Sequence, residues 1–240
     1  MALPKVTHPI YEVYLKSLDR KVKFRPFLVK EEKILLMAKE SKDAEAIKVA
    51  VNQIIENCCI EPINVHDLPL FDVEMFFIHL RAKSVSEIVK LQFTCNNRLE
   101  DGEKCGFVTD YDLNLEKIEF FTPEGHTSKI DLGNNVGVKL KYPTFDTLEL
   151  EDDELDLSAA IQIVMNNIEY IYDAESVYKA EDSSKEELME FLDSLSPDQI
   201  KAVRKFFNTT PKVMLNDEVD CKKCGFHHKL KADGLTDFFL

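Results

Sequence analysis

The chain has 240 residues, with 44 acidic against 30 basic side chains, a formal charge of −14 and 7 glycines. That balance argues against a nucleic-acid binder, which needs clustered basic residues to displace counterions from the phosphate backbone. With 45% hydrophobic and 31% charged residues the composition is that of a globular protein. It has neither the apolar run of roughly 20 residues that crosses a bilayer nor a glycine-rich phosphate cradle. The N-terminus, Met1 to Val6, lacks the apolar core of a signal peptide, which places the chain in a reducing cytosol. Its 6 cysteines then need another explanation than disulfides.

In chain order, Tyr11, Val13 and Leu15, then Val22 and Phe24, alternate with polar residues around a Ser17–Arg20 turn, which predicts a β-hairpin. Ile34, Leu35, Met37 and Ala38 mark a first helix. Ala44, Ile47, Val51, Ile54, Ile55 and Cys58 mark a second, capped near Ser41 or Asp43. A third helix carries Phe71, Met75, Phe76, Ile78, His79 and Leu80, with Asp67 as its expected N-cap and Pro69 in its first turn.

Ile88–Phe93 and Phe107–Leu115 read as paired strands, and Val136, Val138 and Leu140 as another. The acid-rich run from Glu149 to Asp156 reads as a solvated turn or helix entrance. A long helix is expected beyond it, with Ile161, Val164, Met165, Ile168, Ile171 and Tyr172 on one face. Polar residues 174–184 are the best linker candidate. Ser184 with Glu187, and Ser196 with Gln199, form capping boxes for two further helices. Pro211 closes the second, and a β segment carrying Cys221 and Cys224 follows.

The pattern is α+β: a helical core with β-hairpins. It is expected to form one unit over 1–240, made of an N-terminal hairpin (1–28), a helical segment (29–84), a β-rich insert (85–143), a second helical segment (144–211) and a closing β segment with tail (212–240).

The cysteines carry the chemistry. Cys221-Lys222-Lys223-Cys224-Gly225-Phe226 has the form of a zinc knuckle, in which a turn aims backbone N–H groups at two thiolates and glycine takes the left-handed position. Cys105-Gly106-Phe107 repeats the ending, with Cys95 upstream across a longer loop. Cys95, Cys105, Cys221 and Cys224 are therefore expected to form a composite, zinc-ribbon-like four-cysteine module holding a structural Zn2+. Four thiolates fill the tetrahedron and leave no position for catalytic water. The intervening chain is long, but closure entropy grows only logarithmically with length.

Rival readings of these residues are ordinary strand cysteines, a redox pair at Cys221 and Cys224, or replacement of one thiolate by His227 or His228. Cys58 and Cys59 end an apolar helical run and read as buried small hydrophobes. His8, His66, His79 and His126 stand apart from one another, no catalytic motif occurs, and no catalytic residue is assigned.

The segments Lys21–Glu40 (KVKFRPFLVKEEKILLMAKE) and Leu68–Ser84 (LPLFDVEMFFIHLRAKS) resemble the N-terminal part of the T4-type bacteriophage baseplate hub proteins. The closing blocks, Phe206-Phe207-Asn208-Thr209-Thr210-Pro211-Lys212, then Cys221 and Cys224, then Gly234 to Phe239, are similar to that family's C-terminal end. The resemblance implies a non-enzymatic component or assembly factor of the tail baseplate hub of a contractile-tailed phage. Its implied partners are other hub proteins rather than nucleic acid or membrane, and its implied place is the host cytoplasm during assembly or the virion tail. Surface contacts are expected from Arg25-Pro26-Phe27 and from Asp237-Phe238-Phe239-Leu240. The alternatives are a zinc-ribbon adaptor of another complex and a CxxC thiol oxidoreductase.

Overall fold

The computed structural model describes residues 6–144 and 157–233; the acid-rich run at 149–156 and the tail at 234–240 lie outside the described residues. Among those described, six α-helices and eleven strands in small antiparallel sheets make an α+β fold, as the sequence pattern predicts. Contacts gather the chain into two compact units, 1–121 with 212–240, and 122–211.

The discontinuous unit opens with the expected hairpin, β1 (Tyr11–Leu15) paired to β2 (Arg20–Phe24), which buries Val13, Leu15, Val22 and Phe24. Three helices follow: α1 (Val29–Ser41), α2 (Ala44–Cys58) and α3 (Leu70–Ser84). Asp43 caps α2, its carboxylate accepting from the Glu45 N–H. Asp67 does not cap α3. It ends a short 3-10 turn, Val65–Asp67, and Pro69 takes the cap position instead. Proline has no N–H to leave unpaired there, which makes the shift cheap.

α3 is buried almost all round despite its Asp72 and Glu74, and its phenylalanines 71, 76 and 77 are buried. Phe76 packs on Phe24 of β2, and Phe71 meets Phe120 edge-on. Within this core Asp72 is fully buried, and burial pushes its carboxyl pKa up. It accepts from the Lys16 and Ser17 N–H groups at 2.7 and 2.8 Å, so a helix side chain satisfies the hairpin turn. Glu31 is likewise buried, held by Arg25 at 2.9 Å and by the Leu28 N–H at 2.9 Å. Arg25, expected at a surface contact, is thus committed to Glu31 and to the Asn57 carbonyl.

β3 (Ile88–Thr94) and β4 (Val108–Asn114) form a separate two-stranded ribbon. The last sheet of this unit runs β11 (His227–Asp233), β10 (Lys212–Asp220), β5 (Glu119–Phe121). Tyr111 of β4 and Lys117 both bind Asp217 of β10, at 2.7 and 2.9 Å, and tie the ribbon to the sheet.

The 122–211 unit is a four-stranded antiparallel sheet ordered β6 (Lys129–Gly133), β7 (Val136–Leu140), β8 (Ile168–Tyr172), β9 (Val177–Lys179). Helices α4 (Leu157–Asn166), α5 (Lys185–Asp193) and α6 (Pro197–Asn208) belong to the same unit. Ile130, Leu132, Val138, Leu140, Met165, Ile168, Leu192, Val203 and Phe206 meet in one apolar cluster. Both expected capping boxes are formed, at Ser184 and at Ser196.

The long helix expected through Tyr172 stops at Asn166. Asn167 turns its amide back onto the Ile163 carbonyl at 2.8 Å, and residues 168–172, all but Glu169 β-branched or aromatic, become the inner strand β8. The polar stretch 174–184 is not a linker either: it contains β9 and a 3-10 turn, Ala180–Asp182.

Candidate metal centre

Two hairpin ends build the site. β3 delivers Cys95, whose N–H donates to the Phe107 carbonyl at 2.9 Å, while the Gly106 N–H donates back to the Cys95 carbonyl at 3.0 Å. At the other end β10 delivers Cys221. Its N–H donates to the Phe226 carbonyl at 3.0 Å, and the Gly225 N–H donates to the Cys221 carbonyl at 2.9 Å. The two knuckles share one hydrogen-bond pattern, cysteine to phenylalanine and glycine back to cysteine. Both glycines are left-handed, at φ +61° and +71°, where a side chain would be strained. The matched Cys-Gly-Phe sequences thus reflect matched backbone geometry.

The longer Cys95–Cys105 spacing is absorbed by a small hairpin of its own. Arg98 bridges to Lys104, the Leu99 N–H donates to the Glu103 carbonyl at 2.8 Å, and the Cys105 N–H returns to the Asn97 carbonyl at 2.8 Å. Cys105 therefore arrives where Cys224 stands in the shorter knuckle.

The four sulfurs of Cys95, Cys105, Cys221 and Cys224 lie within 4.8 Å of one another. Cys95 and Cys224 are 3.7 Å apart, and Cys105 and Cys221 are 3.8 Å apart. A tetrahedral zinc with Zn–S bonds near 2.3 Å sets its sulfurs about 3.8 Å apart, the separation found in these two pairs, so the donor set fits that ion. None of the four is in a disulfide. Cys95, Cys105 and Cys221 are buried, with Phe93 and Leu99 packed beside them.

The electrostatics divide the thiols. The Cys224 and Lys223 N–H groups point at the Cys221 sulfur and bring its pKa down to about 6. Burial pushes Cys95 up to about 12. At Cys105 the Phe107 N–H favours the thiolate, yet burial and the neighbouring sulfurs outweigh it and raise the pKa. The thiolate is thus favoured at Cys221, and at Cys95 and Cys105 it would need a cation to offset burial and the neighbouring sulfurs.

The histidines separate cleanly. His227 is half exposed and turned to Asp220 and Glu218, at 2.8 and 3.2 Å, away from the sulfurs. His228 is buried, sandwiched by Phe93 and Phe226, with Nε2 3.1 Å from the Cys95 sulfur. Asn97 donates to the Cys224 sulfur at 3.7 Å. Asn97 had no signal in the sequence, whereas His228 stood beside His227 as an alternative ligand, and strand parity separates the two: His228 falls on the face of β11 opposite to His227. Cys58 is buried and Cys59 half-buried, both in the α2 region, with burial raising the Cys58 thiol to about 12.

Of the other histidines, His126 is engaged on both nitrogens, with Thr209 Oγ1 and the Tyr142 hydroxyl each at 2.9 Å. Its ring stacks with Tyr142 and Phe206, which makes it a packing residue of the second unit. His79 is largely buried on α3, and burial lowers its pKa. Among the described residues no helix is long and apolar enough to cross a membrane.

No curated protein and no solved structure matches the chain. A family model described as "T4 bacteriophage base plate protein" matches residues 8–240. With essentially the whole chain inside that match, the protein belongs to the T4 bacteriophage base plate protein family, whose members are components of the phage tail baseplate.

Proposed function

We propose that this chain is a non-enzymatic component, or assembly factor, of the baseplate hub, acting through contacts with other hub proteins. The observation that carries the reading is the family match over residues 8–240. The blocks at Lys21–Glu40 and Leu68–Ser84 add the resemblance to hub proteins in particular. In support, each conspicuous polar cluster has a structural employment: Asp72 holds a turn, Glu31 an arginine, and His126 a stack of rings. Assembly would take place in the host cytoplasm, where reduced thiols are available for metal. Co-expression with hub proteins, and separately with peripheral baseplate proteins, tests the assignment. Co-elution with hub proteins is expected, and co-elution with peripheral proteins alone would overturn it.

Within that function, Cys95, Cys105, Cys221 and Cys224 would hold one Zn2+ as a structural clasp. The support is the sulfur spacing of 3.7 and 3.8 Å. Bound there, zinc would neutralise the thiolates and lock two hairpins whose cysteines stand 116 positions apart in sequence. Elemental analysis of the purified protein should return one zinc per chain, with these four thiols protected from alkylation. A metal-free protein with a reversible Cys221–Cys224 disulfide would favour thiol redox chemistry instead.

A further inference from the structure

Strand edges are the places where a small sheet can recruit another chain, and most edges in this protein are blunted. β9 spans only Val177–Lys179, β6 carries Lys129 and Asp131 and an irregular register between Asp131 and Gly133, and β11 carries Lys229. Among the described edges with a single charge and no proline β3 is the longest, and β1, with Glu12 as its one charge, is shorter. β3 spans Ile88–Thr94, has one charge, Lys90, and no proline, and belongs to a sheet of two strands. Ile88 and Leu91 are 40% and 41% exposed.

The phase of the ladder decides which groups this edge offers. At one end the Leu115 N–H donates to the Glu87 carbonyl, and at the other the Cys95 N–H donates to the Phe107 carbonyl. Both pairs keep the β3–β4 register, so the odd-numbered residues of β3 bond to β4. The backbone N–H and C=O groups of Lys90, Gln92 and Thr94 therefore face away from β4. Ser86 Oγ already takes the Ile88 N–H, at 3.0 Å.

We propose that this edge pairs with the same edge of a second copy, antiparallel, about a two-fold axis through Leu91, to give a continuous sheet β4-β3-β3-β4. Centring on Leu91 sets Lys90 opposite Gln92 of the second copy and Ile88 opposite Thr94, all on the outward phase, with the Lys90–Gln92 pairs at the centre bonding fully and the Ile88 N–H at each end keeping Ser86 Oγ. On one face Leu91 meets Leu91 and Val89 meets Phe93, a β-branched–aromatic pair of the kind that stabilises sheets. On the other, Lys90 meets a neutral amide. Shifting the axis to Lys90 would oppose two lysines, and shifting it to Gln92 would shorten the overlap. The strand is complementary to itself, as an isologous interface requires. The formal charge of −14 on each copy opposes approach at long range. Added salt screens that repulsion, and association is expected to tighten as salt rises.

Sedimentation velocity on the full chain, over a range of concentration and salt, reads this directly. A dimer that grows with both is expected. Gln92→Pro removes an outward N–H and leaves the backbone ladder to β4 in place, losing only the side-chain bond from Gln92 to Asp110 at 3.3 Å, and should weaken dimerisation by about tenfold or more with zinc content unchanged. Independently, Leu91→Cys should cross-link into a disulfide dimer on mild oxidation, since a non-hydrogen-bonded antiparallel pair brings the residues close enough. Wild-type protein that stays monomeric at every concentration would overturn the proposal. So would a dimer indifferent to Gln92→Pro, or cross-linking by Lys90→Cys but not by Leu91→Cys. Protection of β3 amides only when another baseplate protein is added would reassign the edge to that protein.

Discussion

Two of the buried clusters of this protein are stabilised by different physics. In the 122–211 unit, Val138, Leu140, Ile168, Leu192, Val203 and Phe206 pack helices on a sheet, and every member removes apolar surface from water. At the far end of the β3–β4 and β10–β11 hairpins, the buried cluster is Cys95, Cys105 and Cys221, with little else packed against it. Thiols are small, and burying thiolates close together costs Coulomb energy, so that corner cannot hold itself closed by burial alone. An apolar core is cohesive by itself, whereas a thiol core is cohesive only around a cation.

The strongest way to break this comparison is to withhold the proposed zinc from the four thiols. Chelation, or Cys221→Ser, should cost the hairpin corner several kcal/mol, on the order of 10 for a structural zinc. Hydrogen exchange should show β3–β4 and β10–β11 losing protection while β6–β9 and α6 keep theirs. Equal loss in both regions would sink the distinction. The converse substitution, Phe206→Ala, should cost about 3–5 kcal/mol by leaving a cavity beneath the His126 and Tyr142 rings. Its effect should be the same with and without chelator.

These two cores were unequally legible in the sequence. The thiol corner could be read because ligand spacing and the repeated Cys-Gly-Phe ending are local signals, and each maps onto the same backbone hydrogen bonds. Both serine caps were equally local. The sheet of the second unit was harder, because Ile161, Val164, Met165, Ile168 and Ile171 keep a helical period past the point where Asn167 ends the helix. An apolar run that is buried as a strand and one buried as a helix look alike when only hydrophobicity is counted. Asp72 was invisible for another reason, since it serves a turn far away in sequence, and His228 could be named only as a rival ligand because its contact with Cys95 comes from another hairpin.

A milder perturbation asks how far the thiol corner leans on anything besides the proposed zinc. Lys117 and then Tyr111 hydrogen-bond Asp217 and hold its carboxyl down to about 2, below the ordinary 3.8. A depressed carboxylate stabilises the fold above its unfolded pKa, and that contribution fades as pH falls from about 4 towards 2. Asp217→Asn should therefore cost about 1 kcal/mol at pH 7, discounted because Lys117 is more than half exposed. The gap to wild type should close in acid. Both proteins keep the same thiols, so the difference between their urea midpoints isolates this tie, and a gap that widened in acid would contradict it.

The smallest effect tests the apolar unit at its edge rather than its centre. Ser196 accepts from the Gln199 N–H while the Gln199 amide oxygen accepts from the Ser196 N–H at 2.8 Å, and the Gln199 amide also donates to the Leu132 carbonyl at 2.6 Å. The cap of α6 is thereby joined to strand β6, not only to its own helix. Ser196→Ala should cost about 1 kcal/mol. If Gln199 is held by Leu132 as well as by the serine, Gln199→Ala should cost more than Ser196→Ala, since it frees both the cap and the strand carbonyl. Thermal melts of the two variants would rank them. The opposite order would mean that the strand contact adds nothing, and that this unit relies on its apolar cluster alone.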